Sequence, residues 1–367
     1  MVLNGRLPRL CAQVRLKAAP PVERYAPKEH QKIVLSGIQP TGSPHLGNYF
    51  GFIRPWLDLQ KSTSESTPLF LSVVNQHALS LGPVLPAGKL KNNTWIMAAS
   101  LLACGVDPTR TVLFRQSDIL EISQMNWILS SLQTVKKLQR LPQYKDKASK
   151  FSNGVIPVGL LIYPVLQSAD VFTFKGTHIP VGEDQTQHMM LMRDLAIAFN
   201  SEYGIDHFPV AEQVVPCEKA HARIKSLRDP EAKMSKSDPS GKGRIDIGDD
   251  VKLVQQKCMK ALSNTYEKLD YDRVGLPAVA NLLDIYSAVS GKPVEEIVAT
   301  GRDWDVVQLK TNLAQATNEL LGPIHERLEY YKKNPKEVED ILQDNATRAR
   351  AVAAEVLGAT KDIVGLH

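Results

Sequence analysis

At 367 residues, 43% hydrophobic and 23% charged, the chain has the composition of an ordinary globular protein with a sizeable core and room for two domains. No apolar run approaches the roughly 18 residues of a membrane span, so no membrane partner is expected. The net charge of +5 is local: residues 1–24 hold five basic side chains (Arg6, Arg9, Arg15, Lys17, Arg24) against Glu23, leaving 39 basic and 38 acidic groups in residues 25–367, which excludes an overall polycation.

The N-terminus is Arg-rich, nearly free of acids, interleaved with Leu, Val and Ala, and closed by Pro20-Pro21. That is how an organellar transit peptide reads, so residues 1–27 are expected to be a mitochondrial import segment or disordered tail and the destination the matrix. From residue 32, short apolar runs alternate with longer helical patterns. "KIVLSG" (32–37), "PLFLSVVNQH" (68–77), "TVLFRQS" (111–117) and "HIPVG" (178–182) read as strands, and 46–60, 89–105 and 185–199 as helices. The alternation predicts an α/β fold with a parallel sheet. Pro55 should kink or end the first helix. Beyond about residue 250 the strand signals stop. Leu309, Leu313, Ala316, Leu320, Ile324, Leu328 and Tyr331 trace one helix face, which Gly322-Pro323 should bend, and a further helix is expected over 336–357. The expected domains are residues 28–220, a loop region 221–250 and a helical part 251–367.

Two stretches carry chemistry. "SGIQPTGSPHLGN" (36–48) sets His45 among glycines and prolines, which alone would mean only a surface turn. "KMSKSDPSGKGR" (233–244) has two lysines three apart, serines between and after them, and two glycines, a loop able to cradle polyphosphate. Lysine supplies point charge, serine donors, and glycine backbone freedom. The four cysteines (Cys11, Cys104, Cys217, Cys258) form no C-x-x-C pair, so neither a zinc nor an iron–sulfur site is expected.

Together, "PHLGN" and "KMSKS" resemble the paired HIGH and KMSKS signatures of the class I aminoacyl-tRNA synthetases, with Asn48 in place of the second histidine. "LSGIQPTG" (35–42), "NQHAL" (75–79), "YPVLQSAD" (163–170) and "PVGEDQTQH" (180–188) narrow the resemblance to tryptophanyl-tRNA synthetases of the bacterial and mitochondrial type, over residues 32–360. The resemblance implies a Rossmann-like parallel-sheet catalytic domain, a C-terminal α-helical domain that reads the anticodon of tRNA(Trp), and a homodimer. It implies activation of L-tryptophan with ATP, then transfer to tRNA, with Mg2+ carried on the nucleotide phosphates.

Site residues follow from the same resemblance. His45, Asn48, Lys147, Lys233, Ser235 and Lys236 would be catalytic, with the lysines neutralising phosphate charge. ATP would be held by Gln39, Pro40, Thr41, Gly47, Asn48, Gly182, Glu183, Asp184, Ile224, Lys233, Met234, Ser235, Lys236 and Ser237. Ile224 would lie on an adenine-side strand. Tryptophan would meet Asp170, Tyr163, Gln185, Gln39 and His77. An indole N–H is a donor only, so a buried carboxylate such as Asp170 is its natural partner. Gln167 stands where bacterial relatives often have methionine. Arg302, Arg327, Lys332, Lys333, Arg348 and Arg350 are candidates for tRNA phosphates or for solvated faces, His188 and His207 have no patterned partner, and His178, before a strand, reads as structural.

Three rivals are weighed. A tyrosyl-tRNA synthetase shares the fold and signatures, but "GEDQ" and "YPVLQSAD" favour tryptophan. A nucleotidylyltransferase would lack "KMSKS". A non-catalytic RNA-binding paralogue would be expected to have lost signature residues, whereas His45, Lys233, Lys236, Asp170 and Gln185 all stand here.

Overall fold

The computed structural model describes residues 25–26, 28–82, 86–151, 154–215, 224–235 and 241–367. Most of the N-terminal segment 1–27, together with Lys236 and Ser237, lies outside the described residues. Strands β1 (Val34–Ile38), β2 (Leu69–Val73), β3 (Thr111–Arg115) and β4 (His178–Pro180) form where the apolar runs predict them. A short β5 (Glu212–Val214), too polar to be read from its sequence, completes a parallel sheet of order β3-β2-β1-β4-β5. The chain builds outward from β1 to β2 and β3, then returns to the other side of β1 for β4. That reversal opens a crevice at the carboxyl ends of β1 and β4, where open α/β sheets take their ligands.

The helices are α1 (Leu46–Asn48), α2 (Arg54–Ser62), α3 (Ala87–Cys104), α4 (Leu120–Ser130), α5 (Val135–Gln139), α6 (Pro142–Ala148), α7 (Val158–Phe172), α8 (Thr186–Tyr203), α9 (Val251–Met259), α10 (Pro277–Ser290), α11 (Val294–Thr300), α12 (Val306–Lys333) and α13 (Pro335–Val364). Neither Pro55 nor Pro323 ends its helix. A π-helical turn, Tyr49–Ile53, joins α1 to α2, and the Arg54 N–H bonds the Tyr49 carbonyl. Pro55 falls in the first turn of α2, just after the π-helical turn, and the helical path runs on to Ser62. Pro323 likewise lies inside α12 without ending it.

Strand side chains alternate between two cores, as the pleat requires. Val34, Leu69, Leu71, Val73 and Leu113 face one core, with α3, α9, α10 and α12. Leu35, Phe70, Val112, Phe114 and Ile179 face the other, with α4, α7 and α8. α13, grouped by sequence with the helical part 251–367, lies instead against β3 and α4 and closes this second core through Ala346, Ala349 and Ala353. Small side chains at these positions let the helix approach the sheet closely. The C-terminal helices are thus built onto both faces of the sheet, and the carboxyl-end crevice stays open.

Candidate active site

A cavity of about 580 Å³ occupies the crevice. Its lining includes Gly37 and Gln39 from the end of β1, His77 after β2, and Gly182, Asp184 and Gln185 after β4. α6 contributes Lys147. α7 contributes Tyr163, Gln167 and Asp170, spaced four and three apart on one helix face. Leu35, Val74, Val171 and Ile179 make much of the wall apolar. Gly37 is required by proximity: a Cβ there would stand 2.7 Å from Val74 Cγ1.

Asp170 is the buried anion of this cavity. Its Oδ2 lies 2.9 Å from His77 Nε2 and its Oδ1 2.7 Å from Gln116 Nε2. A carboxylate only accepts, so His77 Nε2 carries a proton and donates it. The amide of Gln116 is fixed in turn, because its Oε1 accepts from the backbone N–H groups of Gln76 and His77 at 3.0 and 3.4 Å. Each carboxylate oxygen keeps a lone pair for a donor-only ligand group. Gln116, which the sequence reading missed, is fully buried at the end of β3. No motif marks it, and only the pairing of β2 with β3 brings it beside His77.

At the other end, Tyr163 Oη lies 3.0 Å from Gln143 Oε1 and 3.2 Å from His188 Nε2. Burial pushes the Tyr163 phenol up to about 12 and, with Lys147 and His77 nearby, pushes His188 down to about 4 against the opposing pull of Asp184. The Lys147 ammonium sits 4.3 Å from the centre of the Tyr163 ring. Burial first, then Lys150, lowers its pKa, with Asp184 opposing.

The two signature stretches meet beside this cavity. His45 is buried and precedes α1; its N–H donates to Asn48 Oδ1 at 3.2 Å, and its carbonyl accepts from the N–H groups of Asn48 and Tyr49 at 2.8 and 3.0 Å. Asn48 thus closes the first helical turn. A Cβ on Gly47 would stand 2.9 Å from His45 Cε1 and 3.7 Å from Met234 Cβ, so glycine here lets the two signatures touch. The Leu46 N–H bonds the Ile245 carbonyl, and the Ile247 N–H bonds the Pro44 carbonyl, both at 2.9 Å. Met234 is buried, with its N–H on the Ile224 carbonyl at 3.1 Å, while Lys233 and Ser235 are exposed. The Ile224 side chain is in the core, and next to it an isolated bridge joins Lys225 to Lys233; residues 216–223, just before it, lie outside the described residues.

The structure therefore brings Gln39, His77, Lys147, Tyr163, Asp170, Gly182, Asp184 and Gln185 around one cavity. His45, Gly47, Asn48 and Met234 gather next to it without lining it, and Pro40 (buried), Thr41 and Glu183 (both exposed) lie on the adjoining turns. Among the described residues no group of three or more His, Cys, Asp or Glu could hold a metal ion.

Residues 27–322 match the family described as tRNA synthetases class I (W and Y). The chain is 51% identical over 336 residues to the mitochondrial tryptophan–tRNA ligase of Caenorhabditis elegans, covering 92% of each chain. It is 38% identical to the tryptophan–tRNA ligase of Bacillus anthracis, over 91% of this chain and 98% of that one. Its fold is similar to that of the Campylobacter jejuni tryptophanyl-tRNA synthetase crystallised with ADP and tryptophan (TM-score 0.77, 30% identity, 91% of this chain and 99% of that one).

If Asp170 receives an indole N–H, Asp170→Ala should weaken the binding of tryptophan, used as the indole probe, by about 10- to 100-fold. Gln116→Leu should weaken it by about 3- to 10-fold, because it removes one support of the carboxylate. Calorimetric titration checks both, and unchanged affinity in Asp170→Ala would take the carboxylate out of the pocket.

Proposed function

From the premise that the chain belongs to the class I tRNA synthetases of the tryptophan and tyrosine branch, we propose how its residues divide the reaction. The protein is an ATP-dependent ligase that charges tRNA with tryptophan. One observation carries the reading of the site: the Asp170 carboxylate, buried and propped by His77 and Gln116, closes a cavity with an apolar wall of Leu35, Val74, Val171 and Ile179. A flat apolar ring with a single N–H donor fits that combination.

In this reading the indole lies between the apolar walls with its N–H on Asp170, and the ammonium group faces Tyr163 and Gln185. A carboxylate oxygen of tryptophan attacks the α-phosphorus of ATP. The bond to the bridging oxygen of the β-phosphate breaks, and pyrophosphate leaves with the electron pair. No protein nucleophile is needed, so catalysis is positioning and charge stabilisation. Gln39, Pro40, Thr41, Gly47, Gly182, Glu183 and Asp184 would hold the nucleotide, with Ile224 contributing through its backbone. His45 and Asn48 would shape the turn under the phosphates. Lys147 would approach from α6 and Lys233 and Ser235 from the signature loop, to whose sequence Met234, Lys236 and Ser237 also belong. Magnesium comes on the nucleotide phosphates, whose oxygens suit a hard cation. The adenylate then passes tryptophan to the 3′ end of tRNA(Trp).

The helical part 251–367 would read the anticodon. Of the candidate basic side chains, Arg302 and Lys333 are exposed and make no side-chain hydrogen bond or ion pair among the described residues, and Arg302 borders a cavity of about 900 Å³ with Tyr266 and Tyr271. The others are held within the chain: Arg327 Nε donates to the Ala103 carbonyl at 2.6 Å and Arg348 to the Pro108 carbonyl at 3.0 Å. Lys332 lies 2.6 Å from Glu329, and Arg350 3.5 Å from Glu121. A homodimer is supported by exposed apolar residues on α4 and α5, namely Leu120, Trp127 (78% exposed) and Val135. Mitochondrial import is supported by the Arg-rich residues 1–24 and by relatives named as mitochondrial.

Lys236→Ala should lower the rate of tryptophan-dependent ATP–pyrophosphate exchange by about 10²–10³-fold and leave tRNA affinity near its starting value. A drop in tRNA affinity alone would contradict the role given to the loop. Trp127→Glu should sediment as a monomer, and deleting residues 1–27 should abolish import of the tagged chain. A dimeric Trp127→Glu would remove the first support, and continued import the second.

A further inference from the structure

We propose that His188, held in a single tautomer, is a positioning residue that orients the Tyr163 hydroxyl and the Gln185 carbonyl as acceptors for the substrate's ammonium group. The proposal rests on the reading of the cavity given above. His188 is 1% exposed and does not line the cavity, so it acts through its neighbours.

Obligatory donors and acceptors settle the orientations of Gln185 and His188. Gln185 Nε2 lies 2.6 Å from Asp184 Oδ2. A carboxylate can only accept, so the amide NH2 faces Asp184 and Gln185 Oε1 faces the other way. That oxygen lies 3.0 Å from His188 Nδ1 and 3.3 Å from Gln167 Nε2. An amide oxygen also only accepts, so Nδ1 of His188 carries the proton. In the neutral ring Nε2 is then a bare acceptor, 3.2 Å from Tyr163 Oη, and the two rings meet edge to face at 5.3 Å.

The Tyr163 proton therefore goes to His188 Nε2 or to Gln143 Oε1, both pure acceptors, and the oxygen keeps a lone pair for a donor in the cavity. A protonated His188 would reverse this, taking the Tyr163 lone pair and adding a cation beside Lys147 where an ammonium must bind. Burial, with Lys147 and His77, holds the imidazole well below neutrality. The Gln167 amide, the longer of the two contacts at 3.3 Å, takes the second lone pair of the Gln185 oxygen, so an ammonium group binding there displaces it.

The test compares two ligands on the full-length chain: tryptophan, and 3-(indol-3-yl)propionate, which has the indole and carboxylate but no ammonium. His188→Ala should weaken tryptophan binding by about 10-fold and indolepropionate by less than about 2-fold. His188→Asn, whose amide can replace the Nδ1 donor to Gln185, should recover part of the loss. Tyr163→Phe added to His188→Ala should cost less than the two changes summed, since both act on one hydroxyl. Equal weakening of the two ligands would mean His188 only packs, and no weakening would mean it has no role; either overturns the proposal. Failure of the unmutated chain to bind tryptophan would overturn the underlying reading, and this proposal with it.

Discussion

Burying a carboxylate under an apolar cavity costs several kcal/mol unless donors meet it, and at Asp170 the fold brings those donors from separate strand ends. His77 arrives from the turn after β2 and Gln116 from the end of β3. Gln116 also bonds the backbone at Gln76 and His77, so neither donor can move without disturbing the other. α7 must then present Asp170 toward them, and the same helix face presents Tyr163 and Gln167 to the cavity. A change in the register of β2 against β3, or in the seat of α7, would leave a buried anion short of partners. The parallel sheet and the specificity of the site are one constraint seen at two scales.

A second coupling joins the nucleotide side to the loop that should close on it. The His45 turn and the segment after the KMSKS lysines are bonded through Leu46, Ile245, Pro44 and Ile247, and Met234 is buried against the Gly47 region. The base of the signature loop is thereby tied to the first helix after β1, while Lys233 and Ser235 remain exposed. In the proposed reaction such an anchor would let charge be brought to the phosphates from a fixed origin. It also explains why two stretches nearly 190 residues apart in the chain carry one chemistry.

Much of this was legible in the sequence because it rests on local pattern. β1 to β4 are apolar runs, and Tyr163, Asp170 and Gln185 stand in recognisable strings. The signal failed where meaning comes from tertiary contact. Gln116 is one amide at a strand end, and nothing in its neighbours predicts a carboxylate 54 residues away. His188 was nearer to hand, since it lies three residues after Gln185 and helical spacing places them together, but its second partner, Tyr163, belongs to another helix. β5 has no apolar run to betray it. α13 reads as an amphipathic helix, yet its small-residue face could not reveal that it covers β3. Arg327 and Arg348, read as candidates for RNA, are held by backbone carbonyls at and just beyond the end of α3.

In the proposed reaction a buried carboxylate selects an indole for activation by ATP. The most direct measurement is ATP–pyrophosphate exchange by the full-length chain, offered tryptophan and tyrosine separately with Mg-ATP. The account predicts exchange with tryptophan and essentially none with tyrosine, and loss of the tryptophan signal at limiting amino acid in Asp170→Ala. Exchange with tyrosine alone, or with tryptophan undiminished in Asp170→Ala, would contradict it.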